Sequence, residues 1–186
     1  ENKYMSRPHI EFIQAQNLPW KILPESTARA GAKCKILSRD SNSSAVSVII
    51  SYPPGYSISK KHYLDNDEEF FVLNGSISIG DTHFNKNSYA YLPKGYPRKL
   101  MYSKKGADIL TFFEGSHKNI FNRISEFDNS KLIIIPQISE KNFTNNVDPK
   151  VIGQGLSKFI LRHDSISGER TWILRMGVND FNINKS

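Results

Sequence analysis

Between residues 35 and 113, turn-forming residues recur about every eight to twelve positions, which leaves no room for a helix of usable length. The breaks are SRDSNSS, PPGYS, NG, GDTH, PKGYP and SKKGA, in which Gly and Asn supply positive φ and Pro fixes it. Between them, residues 35–37, 45–52, 69–73, 76–79, 88–92, 98–102 and 108–113 are short apolar runs or alternate with a period of two, as strands do. Asn74-Gly75 is the strongest short hairpin signal and predicts a tight turn. Seven such strands in about 80 residues predict an all-β, antiparallel sandwich or barrel.

After a boundary near residue 145 the sequence repeats itself. ILSRDSNSSAVSVII (36–50) and ILRHDSISGERTWIL (160–174) align without a gap at an offset of 124, sharing Ile, Leu, Asp, Ser, Ser and Ile. The same offset carries His62 to position 186, so the chain is expected to hold only the opening strands of a second copy. The organisation expected is an N-terminal arm (1–34), a β-barrel (35–115), a connecting segment (116–150) and the opening of a second repeat (151–186). A hairpin is predicted over 156–174, and its Phe159, Ile160, Leu161, Trp172, Ile173 and Leu174 require a covering partner. The arm, with Ile10, Phe12, Ile13, Leu18 and Trp20, suits a sheet edge in its own chain or a partner's, and Trp20 is expected in a core or interface. With the LIIIP run of the connecting segment, this predicts a homodimer.

The formal charge of +7 invites a nucleic-acid partner, but the Lys and Arg residues are scattered, in clusters no denser than Lys60-Lys61 and Lys104-Lys105. Aromatic and basic residues do not interleave as a stacking platform requires, so the charge reads as solubility or attraction for an anionic small molecule. A single cysteine, Cys34, excludes an internal disulfide and a multi-cysteine zinc site, and is expected to be a small buried residue. No run approaches the roughly 18 apolar residues of a membrane helix, and ENKYMSRPHIEF lacks the apolar stretch of a leader. The expected compartment is the cytoplasm, with no membrane partner.

The stretch KKHYLDNDEEFFVLNGSISIG, residues 60–80, carries the candidate chemistry. It supplies His62, Leu64, Glu68 and Gly75 after Gly55; further on come Asn87, the PKG of residues 93–95, Arg98 and Tyr102. This pattern resembles the cupin family, small β-barrels of the double-stranded β-helix or jelly-roll type with motifs G(x)5HxH(x)3-4E(x)6G and G(x)5PxG(x)2H(x)3N. The resemblance covers 35–113, and with the repeat it implies a bicupin parent. In that family alternate strand positions aim two imidazoles into the barrel. A carboxylate and a third histidine from later strands complete a divalent metal site with open positions for substrate or dioxygen. The resemblance places His62 in the first histidine slot and Glu68 in the carboxylate slot. Leu64 and Arg98 replace the other histidines, Tyr102 replaces the asparagine, and Asn87 takes a glycine slot where it tolerates the left-handed conformation.

Two ligands, His62 and Glu68, rarely hold a catalytic metal, and the guanidinium of Arg98 cannot become a third. The cofactor implied is none, or a weakly held Zn, Fe or Mn. Gly55 precedes His62 by one residue more than the family pattern; a shift by one would put Lys61 and Tyr63 inside, whereas the spacing from Leu64 to Glu68 favours His62 inside. Without metal, His62, Glu68 and Arg98 form a candidate catalytic or anion-recognising set, Arg98 gripping a carboxylate or phosphate. Alternatively Arg98 and Glu68 are an internal ion pair and His62 a satisfied histidine. Phe70 and Val72 share the face of Glu68, and with Tyr63, Leu64 and Tyr102 they are the candidate ligand-binding residues. His9, His83, His117 and His163 fall in an arm, a hairpin and turns, and Glu69 on the opposite face. Three classes stay open. One is a cupin binding a small, largely apolar, anionic molecule. Another is an enzyme, either a metal-dependent oxygenase, isomerase or hydrolase or a metal-free lyase or cyclase. The third is a structural or regulatory protein with an empty barrel.

Overall fold

A computed structural model of the chain describes residues 13–115, 118–122, 126–143 and 156–176. His9, Ile10, Phe12, His117 and the boundary near residue 145 lie outside these. The described strands of a first compact unit, ending at Gln137, are β1 (Lys21–Ile22), β2 (Lys33–Arg39), β3 (Val46–Tyr52), β4 (Tyr56–Ile58), β5 (Glu68–Ile79), β6 (Thr82–Asn85), β7 (Tyr89–Leu92), β8 (Met101–Ser103), β9 (Ala107–Phe113) and β10 (Ile133–Ile135). A second unit, from Ile138, contains β11 (Leu156–His163) and β12 (Arg170–Met176).

Every described pairing is antiparallel. One face of the first unit runs β1-β2-β3-β9-β5-β7-β10, and the other joins β4, β8, β5 and β6. The 12-residue β5 belongs to both, and the result is the antiparallel barrel expected from the spacing of turns, of the type that the resemblance implies. Inward and outward residues alternate along β3 and β9, so Val46, Val48, Ile50 and Tyr52 face a core shared with Ala107, Ile109, Thr111 and Phe113.

Asn74-Gly75 is not a hairpin turn. The ladder slips one residue between Val72 and Asn74, and β5 continues through Gly75, passing from β9 and β7 to β6 and β8. Gly75 has φ 70, and a Cβ there would stand 2.2 Å from the carbonyl oxygen of Gly106. The glycine is needed for close backbone approach at a bulge, which bends one strand between two sheets. The turn comes after Ile79, where Gly80 (φ 59) and Asp81 join β5 to β6.

Two other expectations need correction. Trp20 is 45 % exposed, with the ammonium of Lys35 4.8 Å from its ring centroid, so of the two places expected for it, core or interface, it does not take the core. The LIIIP run finds its strand partner in its own chain: Ile133, Ile134 and Ile135 pair with Tyr91, Ala90 and Tyr89 of β7.

The β11–β12 hairpin reproduces the β2–β3 hairpin bond for bond at the offset of 124. Both ladders slip at the matching place, between Ile36 and Ser38 and between Ile160 and Arg162. The Asp40 carboxylate accepts from the amides of Asn42 and Ser43 at 2.8 and 3.0 Å, and Asp164 accepts from Ile166 and Ser167 at the same distances. Ser44 (φ 62) and Gly168 (φ 76) close the two turns.

Candidate functional site

The centre of the barrel is built around one carboxylate. Glu68 opens β5 facing inward, because Phe70 and Val72 on the same alternating face are core residues. Arg29 donates through one Nη to both Glu68 oxygens, at 2.7 and 2.8 Å. Arg98 donates through Nη at 2.7 Å and Nε at 3.2 Å to the second of them. All three side chains are buried, at 3 % exposure or less.

Arg29 reaches the centre from a turn over residues 24–32, where Gly31 (φ 80) and three small neighbours, Ala28, Ala30 and Ala32, let the backbone pass close to the barrel. Its Nη1 also donates to the carbonyl of Ala28 at 3.1 Å. Arg98 stands just before β8, held by a donation to the carbonyl of Tyr96 at 2.9 Å. His62 lies opposite Arg98 across an isolated β-bridge, fully buried; Lys61 is exposed. The register with His62 inside is therefore the one adopted, although Tyr63 is buried as well, bridged to Ile120.

Burial alone would raise the Glu68 carboxyl, but the two guanidinium groups outweigh it and hold it at about 2. The imidazole of His62 is driven down to about 4 by burial and by the nearby charge of Arg29, so it is neutral at pH 7. Its ring nitrogen Nδ1 lies 3.1 Å from the carbonyl of Lys60, and Nε2 has no partner among the described residues. With one carboxylate against two guanidinium groups, the buried cluster carries a net charge of +1.

A cupin metal does not fit this arrangement. The carboxylate that would ligate it has both oxygens engaged by arginines, and two cations stand where a divalent ion would need anions or neutral imidazoles. Among the described residues no three His, Cys, Asp or Glu side chains gather as a metal would require.

Of the candidate ligand-binding residues, Leu64, Phe70 and Val72 are packed in the core, with Phe70 edge-on to Phe84 at 5.1 Å. Tyr102 is 40 % exposed between inward-facing Met101 and Ser103, so it points away from the interior, a consequence of strand alternation that the family motif alone does not convey. His83 is exposed, bonded to Ser78 and Asn85. Cys34 is buried, as expected. Arg29 was not foreseen from the sequence: it belongs to neither motif, and the cluster of alanines around it signals close packing only once Glu68 is known to need a partner.

Beside this centre lies a cleft of about 550 Å³, lined by Ile58, Lys60, Lys118, Asn119 and Phe121 together with the turn residues that flank Arg29. The Phe121 ring lies 6.2 Å from that of His62, and the ammonium of Lys60 lies 4.9 Å from the Phe121 ring.

The model of the ChrR Cupin-like domain family matches residues 9–116, more than half of the chain. The chain belongs to that family. Solved cupin structures with the same fold include a protein from Nostoc punctiforme described as a candidate dioxygenase, at 22 % identity and TM-score 0.66. The match covers 93 % of this chain and 61 % of the Nostoc protein, so the cupin chain spans less than two thirds of that relative's length. A candidate acetylacetone dioxygenase from Methylibium petroleiphilum matches at 18 % identity and TM-score 0.53, over 69 % of this chain and 90 % of its own. An acetylacetone dioxygenase from Acinetobacter johnsonii matches at 16 % and 0.51, over 67 % and 82 %. Such likenesses establish the fold alone. No curated protein matches the chain.

Proposed function

We propose that this cupin binds a small organic anion at the cleft beside its barrel centre and that the centre performs no metal chemistry. The observation that carries this reading is the state of Glu68, whose two oxygens are each taken by an arginine. In place of the expected family ligands stands a buried cationic cluster that disfavours a divalent metal, while the charges a carboxylate would meet in the cleft are those of Lys60 and Lys118. The cleft has the size of a small-ligand site, an apolar floor in Ile58 and Phe121, and two lysines, Lys60 and Lys118, to select a negative charge. The neighbours described as dioxygenases suggest an enzymatic reading, which the arginine-filled centre of this chain disfavours.

The chain's two matching hairpins support a bicupin organisation, in which β11 and β12 open a second repeat. Bond-for-bond agreement, including the slip and the aspartate-capped turn, is more than a chance resemblance of two hairpins would supply. Self-association through the outer edge of β1, where Trp20 and Ile22 are exposed, belongs to the same reading and is measured by light scattering.

Elemental analysis with native mass spectrometry, followed by calorimetric titration with aromatic and aliphatic carboxylates, tests the function. The expected result is no stoichiometric metal and carboxylate binding that is lost in Lys60→Glu and Lys118→Glu. Stoichiometric Zn, Fe or Mn, or binding indifferent to both lysines, would overturn it.

A further inference from the structure

Arg29 also lines a small cavity of about 40 Å³, together with Arg39, Cys34, Phe113 and aliphatic side chains of β2 and β3. It is too small for an organic ligand and large enough for one water molecule or one monatomic anion. We propose that this cavity binds a single small monovalent anion of the chloride class, held by the Nε–H of Arg29.

The Nε of Arg29 is buried in a side chain with no exposure, and among the described residues it has no hydrogen-bond partner. Glu68 is the one carboxylate that the cluster's two guanidinium groups share, and its oxygens face an Nη of Arg29 and the Nη and Nε of Arg98, which leaves one buried positive charge in excess among the described residues. The other groups acting on Arg29, the hydroxyls of Tyr52 and Tyr56, stay protonated because burial raises both. His62 is neutral at pH 7, so among the described residues Glu68 is the only anion acting on Arg29. Arg39 lines the cavity from an exposed position and enters no ion pair among the described residues, so the entrance is cationic too.

Leaving a charge unpaired in the interior is among the costliest things a fold can do. A water molecule in the cavity would accept from Nε–H and leave the charge in place. A monovalent anion satisfies the donor and cancels the charge together, and the apolar walls of Val46, Val48 and Ile50 favour a weakly hydrated halide.

The test is thermal unfolding of the full chain at constant ionic strength as gluconate, which cannot enter, is exchanged for chloride or bromide. The expected result is a saturable rise in Tm of about 3 °C or more with either halide. Bromide soaked into crystals should give an anomalous peak within hydrogen-bond distance of Arg29 Nε. Val48→Ile narrows the cavity without touching the three charged side chains, and should fold and lose the halide-dependent rise. Equal Tm in gluconate and bromide, an unchanged rise in Val48→Ile, or no bromide at Arg29 would overturn the proposal.

Discussion

His62 and Arg98 are backbone partners: the amide of His62 donates to the carbonyl of Arg98 at 3.0 Å, and the amide of Arg98 donates to the carbonyl of His62 at 2.9 Å. Residues that exchange both bonds in an antiparallel pair project their side chains to the same face, which is why both are fully buried beside Glu68. Removing the carboxylate's charge therefore strands two guanidinium groups rather than one. Glu68→Gln should cost about 3 to 5 kcal/mol. Arg98→Met should cost less, because Arg29 alone still engages both oxygens. Urea unfolding of the two variants checks the order, and an equal or reversed order would count against the shared-carboxylate arrangement.

The pH dependence of stability follows from the two lowered groups. A group whose folded pKa is depressed gives stability that is complete above its unfolded value and lost as pH falls toward the folded one. For His62 that window runs from 6.5 down to about 4, and for Glu68 from 4.5 down to about 2. Urea midpoints should be flat above pH 7 and decline in two overlapping stages below it, the first amounting to about 3 kcal/mol. His62→Gln keeps a donor for the Lys60 carbonyl and should abolish the first stage while leaving the second.

Most of the barrel was legible in the sequence because turn chemistry and period-two alternation act locally. The inward set of β3, β5 and β9 follows from alternation alone, and Asn87 adopts the positive φ (66) expected of it. The failures are non-local. Asn74-Gly75 has the composition of a turn, but its glycine answers to the backbone at Gly106, more than 30 residues away, and the sequence nearby gives no sign of that approach. The same is true of Arg29, which bonds a carboxylate 39 residues along the chain from an alanine-rich turn with no motif of its own. Glu68 and Arg98 could be paired in advance only because a family pattern brings their slots together.

The glycine at the bulge should behave differently from one in a free turn. At Gly75 an alanine Cβ would collide with the Gly106 carbonyl in addition to adopting an unfavourable φ, whereas at Gly55 (φ 79) nothing lies within 4 Å of it. Gly55→Ala should cost about 1 kcal/mol, from φ alone. Gly75→Ala should cost more than about 2 kcal/mol, since backbone rather than a flexible side chain must move. Similar losses for the two would show that β5 does not pass close to Gly106.

The paired hairpins predict an exchange of turn residues. Ser44 adopts a left-handed φ that Gly168 adopts without strain at the matching position. Ser44→Gly should raise the stability of the first unit by up to about 1 kcal/mol, and Gly168→Ser should weaken the second hairpin. If hydrogen exchange at Asp40 and Asp164 responds in opposite directions, the two turns are interchangeable in practice as they are in geometry.

The arrangement at Glu68 also decides what rebuilding a metal site would take. In the family pattern a histidine at position 98 would join His62 and Glu68 as a third ligand, and three ligands with open positions make a workable metal site. Arg98→His alone should nevertheless take up no zinc, because Arg29 still holds both oxygens of Glu68 and leaves a cation at the centre. Removing that obstacle as well, in Arg29→Ala with Arg98→His, frees the carboxylate and lowers the charge of the cluster by two. The double variant should bind zinc with a one-to-one stoichiometry in calorimetry and gain several degrees in Tm when zinc is present. Uptake by the single variant would show that Arg29 yields easily and is not what keeps metal out; failure of a folded double variant to bind would show that His62, Glu68 and residue 98 do not converge on one point.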